Sequence, residues 1–134
     1  MNEEIRVLLV EPGEKPRLVT VEHTLENLQK LVGGYIEAVY PWDDYVAVVC
    51  DEDGIANGKI PNRLLVDDEG APYDILKGPF FICGLGEEDF CSISDEMAAK
   101  YTERFRWPEA FARTLDGRVV WISTKPGTHP VILS

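Results

Sequence analysis

Val32-Gly33-Gly34-Tyr35-Ile36-Glu37, followed one apolar run later by Cys50-Asp51-Glu52-Asp53-Gly54, specifies a helix end, two strands and a polar strand terminus. Upstream of it, Thr24 offers a side-chain oxygen to cap a helix over 25–32, whose Leu25, Leu28, Leu31 and Val32 fall on one face. Gly33-Gly34 admits the left-handed backbone that ends helices at little cost. Downstream, 35–40 reads as a strand, Pro41-Trp42-Asp43-Asp44 as a turn, and 45–50 as a second strand that is nearly all apolar. A strand without polar alternation is covered on both faces, which places 45–50 at the heart of the sheet. Polar groups then cluster where that strand ends, as they do when a fold presents a site.

Outward from this centre, 5–10 and 18–22 are β-rich runs joined by Pro12-Gly13-Glu14-Lys15-Pro16, an opening hairpin. Asp51-Glu52-Asp53-Gly54 and Ala56-Asn57-Gly58 are turn formers. Residues 62–66 read as a short extended segment, 73–77 as one helical turn stopped at Gly78, and 79–83 as a compact apolar strand. Ser94 precedes Asp95 and Glu96, acids suited to a helix N-terminus, and Met97, Tyr101 and Phe105 recur every four residues before Pro108 stops the helix. Alternation over 118–123, the turn Lys125-Pro126-Gly127-Thr128 and the run 131–133 predict a terminal hairpin. Strands in hairpin-like succession give an α+β fold: a mostly antiparallel sheet of about five to seven strands with two helices, 25–32 and 97–105, packed on one face.

The 134 residues fit a single domain, with no repeat and no linker-like insertion. A formal charge of −11, from 24 acidic against 13 basic residues, repels phosphate backbones and anionic lipid, so direct nucleic-acid and membrane binding are not expected. The same charge suits solubility or a partner with a basic face, including a protein that normally holds DNA. Cys50, Cys83 and Cys91 are odd in number and form no C-x-x-C pair, which reads as reduced thiols in a cytosol. The opening Met1-Asn2-Glu3-Glu4 lacks the basic start of a signal peptide, and no apolar run is long enough to span a bilayer, so the expected location is cytoplasmic.

Asp51, Glu52 and Asp53 do not follow the alternating pattern of a calcium loop, and no metal or other cofactor is expected. Asn62 and Arg63, an amide beside a bidentate fork, suit a carboxylate, a phosphate or a base edge together with Glu52. The alternative is that Arg63 pairs with Asp51 or Glu52 and pins the loop to the strand end. Gly84-Leu85-Gly86 superficially opens a dinucleotide fingerprint, but Glu87-Glu88-Asp89 puts carboxylates where a pyrophosphate would sit, so it reads as a turn. His23 and His129 are the only imidazoles, no nucleophile motif is present, and Cys50 reads as a packed small hydrophobe. Trp42, beside Asp43, Asp44 and Tyr45, offers an aromatic face with acids for an Arg-rich partner, or an indole that packs over a sheet edge.

At Val32-Gly33-Gly34-Tyr35-Ile36-Glu37, Cys50-Asp51-Glu52-Asp53-Gly54, Asn62-Arg63 and Tyr73-Asp74-Ile75-Leu76-Lys77-Gly78-Pro79-Phe80-Phe81-Ile82 the chain resembles domain-of-unknown-function family 3846. The likeness covers roughly 5–105 and leaves the hairpin within 109–134 as an elaboration. Family members more often carry asparagine at the position of Asp51. The resemblance implies the biology of bacteria, phages and mobile elements and brings no activity with it. Together these readings point to a non-catalytic binding module acting through Asp51, Glu52, Asn62 and Arg63, with Tyr35, Tyr73 and Trp42 nearby. The alternatives are a small-ligand site for a nucleotide-like or anionic molecule, and an acidic decoy of a DNA-binding protein. The terminal hairpin offers a surface for a homodimer.

Overall fold

The computed structural model describes residues 3–54 and 57–133, so Ala56 of the turn expected at 56–58 lies outside the described residues. The opening hairpin pairs β1 (Glu4–Val10) with β2 (Arg17–Glu22), Leu8 opposite Leu18. Thr24 caps α1 (Leu25–Val32), its Oγ1 accepting from the Asn27 N–H at 3.1 Å, and Gly33 closes the helix with φ of 75°. β3 (Ile36–Val39) and β4 (Val46–Asp51) follow as an antiparallel pair, and every residue of β4 is buried.

The chain then leaves the main sheet for a separate antiparallel pair, β5 (Pro61–Val66) and β6 (Pro72–Lys77), and returns as β7 (Phe80–Leu85) with a short β8 (Phe90–Cys91). The expected helical turn at 73–77 is therefore corrected to a strand. Its partner across the turn, β5, supplies a ladder that one isolated turn of helix could not match, since a single turn fixes several residues for one hydrogen bond. The main sheet has six antiparallel strands in the order β2-β1-β7-β4-β3, with β8 beside β7. β7 occupies the middle, and β4 lies next to it.

The two helices lie on opposite faces, which corrects the expectation that both pack on one. In β4, Val46, Val48 and Cys50 point into one core with Ala98 and Tyr101 of α2 (Asp95–Arg104) and its C-cap Phe105, while Ala47 and Val49 point into the other with Leu28 and Val32 of α1. Alternation along a strand sends neighbours to opposite faces, and a strand apolar at every position needs a cover on each. Leu65 and Leu76 of the β5–β6 pair complete the α2 side. Beyond α2, β9 (Glu109–Arg113), β10 (Val119–Ser123) and β11 (Val131–Ile132) form a three-stranded sheet, so the terminal hairpin gains a third strand. Among the described residues no helix is long and apolar enough to cross a membrane.

Trp42 belongs to this core. It is 7% exposed, stacks on Tyr101 with ring centroids 4.4 Å apart, carries the Arg104 guanidinium over its ring and donates Nε1–H to the Val66 carbonyl at 2.8 Å. Asp44 in the same turn accepts from Tyr101 Oη and from Lys100 Nζ, each at 2.6 Å. Those two partners hold its carboxyl below the usual range, so the Pro-Trp-Asp-Asp turn is a clasp on α2.

Candidate functional site

β4 ends at Asp51, whose carboxylate has no exposed surface and lies against the Gly33-Gly34 turn. A Cβ at position 34 would stand 2.6 Å from Asp51 Oδ1, so only glycine lets the helix end approach this closely. Lys59 Nζ sits 2.6 Å from Asp51 Oδ2 and also donates to the Val32 and Gly33 carbonyls at 2.5 and 3.0 Å. One ammonium thus neutralises a buried acid and satisfies carbonyls at the negative end of α1. The Asp53 N–H and the Asn57 amide complete the carboxylate, each donating at 2.9 Å. Burial by itself pushes the Asp51 carboxyl up, but Lys59, Asn57 and the Asp53 N–H outweigh it and hold the group below its ordinary value.

Asn62 and Arg63 form a second, separate network, and both side chains are wholly buried. Arg63 donates from Nε and Nη2 to the Phe105 carbonyl at 3.3 and 2.9 Å, from Nη2 to the Glu14 carbonyl at 2.7 Å and from Nη1 to Asn62 Oδ1 at 2.8 Å. Asn62 Nδ2 donates to the carbonyls of Val10 and Gly78, both at 2.9 Å. The pair therefore stitches the end of β1, the β1–β2 turn and the C-terminus of α2, where unsatisfied carbonyls attract a cation. Carbonyls rather than the carboxylates of Asp51 or Glu52 receive Arg63, so the pairing weighed from sequence does not form. Burial lowers the Arg63 pKa, and the Glu109 carboxylate nearby works against that shift.

Glu109, which sequence reasoning missed, reaches from β9 to accept the Leu64 N–H of β5 at 2.8 Å and Trp121 Nε1–H at 2.7 Å. It thereby docks the terminal sheet onto the β5–β6 pair. Burial raises its carboxyl pKa against the opposing pull of the Leu64 N–H, Trp121 and Arg63. A single acid after Pro108 carries no pattern that would have marked it. Lys59 was equally silent in the sequence, being one basic residue among turn formers.

Of the residues the sequence pointed to, Glu52, Tyr35 and Tyr73 stay open to solvent, Tyr35 at 68% and Tyr73 at 50%. A cleft of about 330 Å³ opens between the β3–β4 end and β6, lined by Glu37, Glu52, Asp53 and Asp74, with Lys77 the one basic side chain among its described lining residues. Cys50 contributes to its wall; burial first, then Glu37, Asp74 and Asp51, push the thiol up to about 12, the behaviour of a packed hydrophobe. A second groove of about 450 Å³ runs along the end of α1 past Glu26, Tyr35, Asp53 and Asn57. Asp53, in the turn directly after β4, lines both. That turn presents Glu52 and Asp53 outward, while Asp51 anchors it from within.

The family described as "Domain of unknown function (DUF3846)" matches residues 5–106 of this chain. The chain belongs to that family. The matched DUF3846 region contains both buried networks and both grooves, and β9, β10 and β11 lie beyond it. No curated protein and no solved structure gives a significant match to the chain.

Proposed function

We propose that this DUF3846 chain is a non-catalytic interaction module of a phage or other mobile element, and that it receives a cationic partner at the acidic end of its main sheet. One observation carries the reading. The side chains best equipped for specific recognition, Asp51, Asn62, Arg63 and Trp42, are consumed by internal bonds, whereas Glu37, Glu52, Asp53 and Asp74 surround an open cleft in which Lys77 is the one basic lining residue among those described. The net charge of −11 adds a long-range field of the same sign, which speeds encounter with a basic partner and repels nucleic acid. A small-ligand site built on Arg63 and Asn62 finds no support here, because both side chains are wholly buried and line neither of the two grooves.

A calorimetric titration with deca-arginine tests the reading. Binding is expected to weaken steeply with added salt and to fall at least about tenfold in the double variant Glu52→Lys, Asp74→Lys. The matched charge change Glu103→Lys, Asp116→Lys, placed outside the cleft, is expected to have a much smaller effect. Equal losses in the two variants would mean that only the overall field matters and would remove the cleft from the proposal.

A further inference from the structure

β3 is the last strand of the main sheet and, among the described residues, is hydrogen-bonded to β4 alone. The phase of that pairing is fixed by the Glu52 N–H, which donates to the Tyr35 carbonyl at 3.0 Å. In an antiparallel pair, residues alternate between those that exchange hydrogen bonds with the partner and those whose groups turn the other way. Tyr35, Glu37 and Val39 therefore turn their backbone groups inward to β4, and Ile36 and Ala38 turn their N–H and C=O groups outward. This edge is short, four residues with one charge at Glu37, and it carries no proline, no lysine and no bulge that would block an added strand.

The surroundings of the edge select its occupant. Glu37 faces the cleft, with Glu52 and Asp74 close by, and exposed tyrosine rings stand just beyond both ends of β3, Tyr35 at 68% and Tyr40 at 56%. Aromatic faces flanked by carboxylates attract guanidinium and ammonium groups. A second copy of the chain is a poor occupant, since it would bring Glu37 against Glu37 and add −11 to −11.

We propose that this chain binds its partner by strand addition: an extended segment with Arg or Lys at alternate positions pairs with the outward groups of Ile36 and Ala38 and lays its cationic side chains over Glu37, Glu52 and Asp74. Main-chain bonds supply affinity, and the alternate side chains supply selectivity. The inference rests on the cationic-partner reading above and adds to it a backbone geometry that can fail by itself.

Selection from a random decapeptide display library tests it. Enriched peptides are expected to carry Arg or Lys at alternate positions, and a synthetic copy is expected to slow amide hydrogen exchange at Ile36 and Ala38. N-methylation of the peptide's alternate backbone amides is expected to weaken binding at least about tenfold. So is Ala38→Pro, which removes an outward N–H that no β4 partner needs. The N-methyl peptides leave the protein unaltered, so the outcome does not depend on that variant folding. Basic peptides that bind equally well with and without N-methylation would overturn strand addition and leave the cationic-partner reading standing. Enrichment of neutral or acidic peptides, or no enrichment, would overturn both. Concentration-dependent self-association that is lost in Ala38→Pro would assign the edge to a second copy and overturn the proposal.

Discussion

A methyl group at position 34 would meet the Asp51 carboxylate at 2.6 Å, so Gly34→Ala forces either the helix end or the buried ion pair to move. A loss of about 1–3 kcal/mol in urea unfolding is expected, as for other overpacked interiors. Asp51→Asn removes the partner of Lys59, which keeps its two carbonyls and some contact with water. The expected cost is therefore about 2–3 kcal/mol, below the ~3–5 kcal/mol of a fully enclosed pair that loses one member. The pH dependence has a definite sign. The folded carboxyl lies below its ordinary 3.8, so its contribution is complete at neutral pH and is lost as pH falls through the folded value. The gap between wild type and Asp51→Asn is expected to be full at pH 7 and to close in acid; a gap that persists unchanged would contradict the ion pair. Much of this node was legible in the residues: Thr24 as cap, Gly33-Gly34 as stop and Asp51 at a strand end were all readable. That Asp51 serves Lys59 was not, because nothing local links two residues that meet only when the loop folds back.

At the scale of elements, the buried Arg63 and Asn62 do for the end of α2 what Lys59 does for the end of α1. Each helix terminus is completed by a cation from a distant strand or loop. Glu109 extends the scheme to the terminal sheet, and Glu109→Ala leaves the Leu64 N–H and the Trp121 indole without their acceptor. About 1–3 kcal/mol of stability is expected to be lost, with a red shift of tryptophan emission as Trp121 becomes wetter; unchanged emission would show that the sheet docks by other contacts. Its pH sense is opposite to that of Asp51: a raised folded pKa gives a contribution that is full below the ordinary 4.5 and declines as pH rises through the folded value. Most strands and both helices are readable from periodicity and caps, whereas β6, β8 and β9 are not, and the expectation that both helices cover one face does not hold. The clue was present in Val46-Ala47-Val48-Val49-Cys50, because a strand apolar at every position asks for a cover on each side. At 73–77 a short apolar run carried no period long enough to separate a helical turn from a strand, and only the ladder with β5 decided it.

For the whole molecule, Asp51, Asn62, Arg63 and Trp42, which look functional in the sequence, hold the fold together, and the binding reading rests on Glu52 together with groups that look ordinary there. Glu37 and Asp74 are single acids in separate strands, and they come to one cleft only because β6 packs beside the β3–β4 end. The terminal sheet lies outside the DUF3846 match, so whatever is general to the family is carried by the six-stranded sheet, its two helices and the β5–β6 pair. This division of labour separates stability from binding in a way that a pair of variants exposes. Thermal unfolding and deca-arginine titration of Arg63→Met and of Glu37→Lys, Asp74→Lys, run side by side, read both quantities. Arg63→Met is expected to unfold at a clearly lower temperature and to bind within about twofold of wild type, while the double charge reversal is expected to unfold near the wild-type temperature and to lose binding at least about tenfold. Loss of binding in folded Arg63→Met, with binding retained by the charge reversal, would contradict the division and return the site to Arg63.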